Sequence, residues 1–147
     1  MPEKNEGQAP KAESDKNEKE LLDKFTNLDD EAIAHSVITG ELFNFSAQGE
    51  KVVSERIENI ENKNLKNEAL FRIANLYYRE KHNLAMALNK AEEIDNDSER
   101  TRCLVQLAVA VLENEGNLEL ADNIIYQVKQ DKEDYRKYYQ IERQKFI

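Results

Sequence analysis

The sequence predicts an all-α protein, a short α-solenoid of about three helix–turn–helix repeats with a period of 34 residues. Three observations predict it. One hydrophobic pattern is written twice, as LKNEALFRIANLYYREKHNLAMALNKAEEI from Leu65 and as ERTRCLVQLAVAVLENEGNLELADNIIYQV from Glu99. Leu70 then matches Leu104, Ile73 matches Leu107, Ala87 matches Ala121 and Ile94 matches Val128, which is the signature of stacked helical hairpins. No stretch alternates with the two-residue period of a strand, and both prolines fall within the first ten residues.

Taken in order, residues 1–19 carry no large apolar side chain after Met1 and are dense in Glu, Lys, Asn, Ser, Gly and Pro. Such a segment cannot bury enough surface to offset its chain entropy, so it is expected to be a disordered acidic tail. Residues 20–147 are expected to form the helical repeat domain, with 132–147 as its capping helix. Leu21, Leu22, Phe25 and Leu28 make a two-turn apolar stripe. Asp29 and Asp30 suit a helix start, where their oxygens accept otherwise unpaired backbone N–H groups. Ile33, Ala34, Val37 and Ile38 give the next helix its buried face. Gly40 is a candidate for the end or a bend, and Leu42, Phe43 and Phe45 continue irregularly. Residues 46–51 read as a polar break around Gly49.

Val52, Val53, Ile57 and Ile60 define a further helix, in register with the second helix of each later unit. Inside those units Leu70, Ile73, Ala74 and Tyr77 recur at i, i+3, i+4 and i+7, one face of a helix. Lys81-His82 ends it. Asn83 caps the next helix, whose inner face is Leu84, Ala87, Leu88, Ala91 and Ile94. In the second copy Gly116 stands at the stop position, just before Asn117. Alanines at 74, 87, 91, 108 and 121 allow paired helices to approach closely, and residues 95–98 supply turn and cap chemistry. The last stretch continues the register, with Tyr138 at the Leu104 position and Ile141 at the Leu107 position. Glu142 and Lys137 replace apolar positions there, as suits a capping helix.

The period, the mid-unit turn and the small residues at close contacts resemble the tetratricopeptide-repeat superfamily over about residues 29–147. The usual Trp is absent, and Glu61, Asp95 and Lys129 stand near the place of the proline that often closes the second helix. The resemblance implies a non-catalytic scaffold that holds a peptide or partner protein on the concave face lined by the first helices. Short acidic members of this size also serve as bacterial secretion chaperones, which is the alternative reading.

The chain has 147 residues and a formal charge of −9, so it is about one domain long and acidic. Residues 1–31 hold five Lys against ten acids, whereas 129–147 hold six Lys or Arg against four. No basic stripe is concentrated enough to suggest nucleic acid. A single cysteine, no apolar run of membrane length and no secretory or transit pattern at the N-terminus point to the cytoplasm. Glycine-rich phosphate loops, the GxSxG elbow and HExxH are missing. Cys103 reads as a small core residue, and His35 and His82 each stand alone, so neither metal, cofactor nor catalysis is expected.

The candidate partner-binding residues are Arg72, Asn75, Tyr78, Arg79, Gln106, Val109, Gln140 and Arg143. Stacked units would align them as Arg72/Gln106/Gln140, Asn75/Val109/Arg143 and Tyr78/Leu112/Phe146. Polar and aromatic rows of this kind suit an extended peptide. The competing reading packs Tyr78 and Leu112 against the neighbouring unit. Tyr135, Tyr138 and Tyr139 could stack on nucleic acid, but they more simply cover the exposed end of the stack, and residues 126–147 are a possible homodimer surface.

Overall fold

The computed structural model describes residues 17–35, 45–128 and 132–147. Every regular element among them is an α-helix. The chain divides into two compact units, Met1–Leu65 and Lys66–Ile147, and this division falls inside the segment read from sequence as one repeat domain. Residues 1–16 of the expected tail, and Val37, Ile38, Gly40, Leu42, Phe43 and Lys129, lie outside the described residues.

In the first unit, α1 covers 17–26, so Asn17, Glu18 and Lys19 are helical although composition places them in the tail. A tertiary contact supplies the reason. Glu18 Oε1 accepts from both the backbone N–H and the hydroxyl of Ser46, at 2.8 and 2.7 Å. Next comes α2, Asp30–His35, capped by Asp29, whose Oδ1 accepts from the Ala32 N–H at 2.7 Å. Then α3 runs Ala47–Glu58. It starts within the stretch 46–51 that reads as a break, because Ser46 accepts from the Gly49 N–H and caps the helix. Arg56 ties α3 back to the start of α2, with 2.8 Å bonds to the Leu28 carbonyl and to Asp30. Phe25, Ile33, Ala34, Phe45, Val53, Ile57 and Ile60 are buried.

In the second unit, α4 (Lys63–Lys81, its first residues still in unit one) and α6 (Asp97–Glu115) are each 19 residues long and offset by 34 at both ends. Each is followed by a shorter helix, α5 (Leu84–Glu92) and α7 (Leu118–Ile125). The caps match as well. Asn83 Oδ1 accepts from Met86 N–H and Asn117 Oδ1 from Leu120 N–H, both at 3.0 Å. Asn62 and Asn96 do the same for α4 and α6. Such caps satisfy orphan N–H donors and are worth about 1 kcal/mol each.

The α4–α5 hairpin is closed at its open end by buried Asn67. Its Nδ2 donates to Asp95 Oδ1 at 2.7 Å, and its Oδ1 accepts from the Asp95 N–H at 3.3 Å. Arginines close the following turns, Arg100 donating to the Ile94 carbonyl and Arg136 to that of Val128. These cations also oppose the negative end of the helix dipole. Helices α4, α6 and α8 (Glu133–Gln144) run in the same sense. Tyr78 near the end of α4 bonds Glu115 at the end of α6, and Lys132 before α8 bonds Ser98 at the start of α6.

The core of this unit is Leu70, Ile73, Ala74, Tyr77, Ala87, Ala91, Ile94, Cys103, Leu104, Leu107, Ala108, Ala121, Ile124 and Val128, all nearly inaccessible. A large aliphatic side chain buried in this way contributes about 1.5–3 kcal/mol. All five alanines at expected contact positions are 0 % exposed.

The face of α8 differs from expectation. Tyr138 and Ile141 are 49 % and 61 % exposed, and Tyr139, one position on, is fully buried. A strict 34-residue register would bury Tyr138. Burying Tyr139 instead lets its hydroxyl reach Asp122 of α7 at 2.6 Å, so the polar tip of a large ring is satisfied inside the fold.

Candidate partner-binding face

The expected site residues separate by burial. Arg72, Arg79, Gln106 and Gln140 are exposed, Asn75 and Arg143 are partly covered, and Tyr78 and Val109 are buried. Tyr78 belongs to the α4–α6 seam rather than the surface. Its hydroxyl donates to Glu115 Oε2 at 2.5 Å, and burial, then that carboxylate, pushes its pKa up to about 12. Leu112, expected in the same row, is 1 % exposed. Val109 joins them because α6 packs against α5, α7 and α8, and the residue most apolar in its row is the one taken inward. Tyr78 and Val109 are 3 % and 9 % exposed.

Arg143 is likewise engaged. Its Nε and a terminal nitrogen bond the two oxygens of Asp122 at 2.9 and 3.0 Å, beside the Tyr139 hydroxyl. The Arg143 hydrogen bond is the main cause of the lowered Asp122 pKa. This cluster fastens α8 to α7. Asn75 donates to the Phe71 carbonyl at 2.9 Å, and its Oδ1 is buried without a hydrogen-bond partner, so its amide faces the protein.

What stays accessible is a polar face shared by α4 and α6. Arg72 and Gln106 occupy equivalent positions of the two helices and are both exposed. One residue before Arg72, the Phe71 ring lies under the Arg102 guanidinium of α6, 4.5 Å from its centroid, a cation–π contact that joins the two helices. The sequence patterns did not single out Phe71 or Arg102, because their pairing joins two helices. Arg72 contacts Glu68 one turn back at 3.5 Å, with both side chains substantially exposed. A pair of this kind contributes about 0.3–0.5 kcal/mol, so a partner's acceptor can replace Glu68 at little cost. Gln140 is exposed too, but the one-residue slip of α8 takes it out of the row formed by Arg72 and Gln106.

At one end of this face Tyr78, His82, Leu84, Asn114, Glu115 and Leu120 line a cleft of about 530 Å³. The Tyr78–Glu115 hydrogen bond is part of its lining, with the phenol held protonated. Compared with protein-family models, curated proteins and solved structures, the chain matches none. What the face can hold follows from its own side chains. Among the described residues, no three His, Cys, Asp or Glu are grouped to hold a metal ion, and no helix is long and apolar enough to cross a membrane. Cys103 is fully buried, and loss of hydration raises its thiol pKa to about 12, so it carries no reactive thiolate at neutral pH.

Proposed function

We propose that the protein is a non-catalytic binding module whose helices form tetratricopeptide-like hairpins, and that it holds an extended peptide or a flexible segment of a partner protein across α4 and α6. In this reading α4–α5 and α6–α7 are two 34-residue units, α8 opens a third, and the first unit of the chain carries a degenerate copy. The observation that carries the proposal is the shared face of Arg72, Gln106 and the Arg102–Phe71 stack. Its donors and acceptors are exposed, and the Phe71 ring beneath Arg102 holds that guanidinium in place on the face. Gln106 can both donate to and accept from a peptide backbone, and Arg72 and Arg79 favour a segment carrying carboxylates.

Neighbouring helices lie about 8–10 Å apart, and an extended chain advances about 3.3 Å per residue. Two helices therefore grip about three to six residues. The measurement is a peptide-display selection on the purified protein, followed by titration of the selected peptide against Arg72→Glu and Gln106→Ala variants. The proposal expects acidic peptides to be selected and their affinity to fall about tenfold or more with Arg72→Glu, while the thermal melt stays unchanged. Selected peptides that bind the Arg72→Glu, Gln106→Ala double variant as tightly as the parent would refute it.

A further inference from the structure

The face of α8 turned away from Tyr139 carries one stripe, Asp134, Tyr138, Ile141 and Lys145, at spacings of four, three and four residues. At 3.6 residues per turn these positions line up along a single side of the helix. All four are exposed, and two of them, Tyr138 and Ile141, belong to the few large apolar side chains that are so among the described residues. On the inner side α8 packs against α6 and is tied to α7 and the turn after it through Tyr139, Arg143 and Arg136. The stripe is a separate surface with its own pattern.

That pattern reads the same under reversal. Positions 134 and 145 share a midpoint with 138 and 141, so a second α8 laid antiparallel about that point brings unlike residues together. Asp134 meets Lys145 of the other copy, Tyr138 meets Ile141, and both contacts recur on the other side of the two-fold axis. A self-complementary patch of this kind is what an isologous two-fold interface requires. A parallel arrangement would set Asp134 against Asp134 and Lys145 against Lys145. The acidic end and the basic end of the stripe thus select direction as well as partner. Lys145 contacts Glu142 in its own helix at 3.0 Å but remains 63 % exposed, so its ammonium group is within reach of a second chain.

We infer that the protein self-associates through α8 as an antiparallel two-fold pair, with Tyr138 packed on Ile141 and Asp134 bonded to Lys145 of the second copy. One twelve-residue helix on each side makes a small interface, at the weak end of specific association, so the pair forms and separates with concentration.

The experiment is sedimentation velocity of the full chain from micromolar to millimolar concentration, with helicity checked by circular dichroism. The parent should show a reversible monomer–dimer equilibrium. Asp134→Lys and Lys145→Asp should each weaken it about tenfold, since each turns two attractive contacts into two repulsive ones. The two changes in one chain should restore it. As a second measurement, a Tyr138→Cys chain mixed with an Ile141→Cys chain should form the mixed disulfide under mild oxidation faster than either forms its own. Buried Cys103 does not compete. A parent that stays monomeric at millimolar concentration overturns the inference. So does a double charge reversal that fails to restore association, or cross-linking that favours 138 to 138.

Discussion

His82 and Gly116 occupy the same left-handed position at the ends of α4 and α6. Their φ angles are 53° and 62°, and their N–H groups donate to the carbonyls of Tyr78 and Leu112 at 3.0 and 2.9 Å. One backbone shape thus ends both long helices, although only one of the two residues lacks a Cβ. A residue with a Cβ holds this conformation at a cost of about 1 kcal/mol. His82→Gly should therefore stabilise the protein by about 0.5–1 kcal/mol, after allowing for the freer unfolded chain. A Cβ at Gly116 meets nothing within 4 Å, so Gly116→Ala should cost about 1 kcal/mol through φ alone. Urea denaturation of the two variants measures both. Equal stabilities of parent and His82→Gly would mean that the turn relaxes.

Gly49 illustrates a different need for glycine. It lies in the first turn of α3, where alanine would ordinarily stabilise by up to about 1 kcal/mol. Here a Cβ would land on the Glu18 carboxylate and 2.9 Å from the Phe45 Cβ. The Glu18 side chain does for Ser46 what a glutamate at the third helical position does in a capping box, but it comes from another helix. Gly49→Ala should therefore lower stability by about 1–2 kcal/mol, and by less in a Glu18→Ala background, as urea melts of the cycle would show. A gain in stability from Gly49→Ala in the parent would contradict the Glu18 contact.

The Asp122 cluster makes a pH dependence. The Arg143 hydrogen bond, aided by Tyr139, lowers the Asp122 pKa from its ordinary value of 3.8. Above that value the carboxylate is ionised in the folded and unfolded chains alike, and the stabilisation is fully present. As the pH falls below it, the unfolded chain takes up its proton first, and the contribution disappears by the time the folded carboxylate protonates. Asp122→Asn should thus flatten part of the acid limb of a stability–pH curve and lower the plateau near neutrality. Tyr139→Phe, which keeps the buried ring and removes one hydrogen bond, should cost about 1 kcal/mol at neutral pH. Chemical denaturation at intervals from pH 2 to 7 checks both, and parallel acid limbs for parent and Asp122→Asn would refute the assignment.

Much of the local structure was legible in the residues. Asn83, Asn96 and Gly116 stand at the ends of apolar stripes and do cap those helices. Leu70, Ile73, Ala74 and Tyr77 share a buried face because four side chains at helical spacing cannot point elsewhere. The candidate site was legible only in part. Arg72 and Gln106 are exposed as their polarity suggests. Tyr78 is polar enough for a surface and apolar enough for a seam, and Glu115, 37 residues away, decides for the seam.

Short-range chemistry, by itself, determined that the described residues are helical, where α4 and α6 end and α5 and α7 begin, and which alanines are buried. Each of those outcomes depends on neighbours within about one turn, and the sequence displays them side by side. Only the tertiary structure decided that Glu18 caps α3, that Arg102 lies over Phe71, and that α8 turns Tyr139 inward and leaves Tyr138 and Ile141 outside. These depend on which hydrogen-bond partner or ring a distant helix brings within reach, and a shift of one residue on a helix rotates a side chain by about 100°. Periodicity cannot see such a shift, because an end helix with polar and apolar residues on both sides satisfies more than one register until Asp122 selects one.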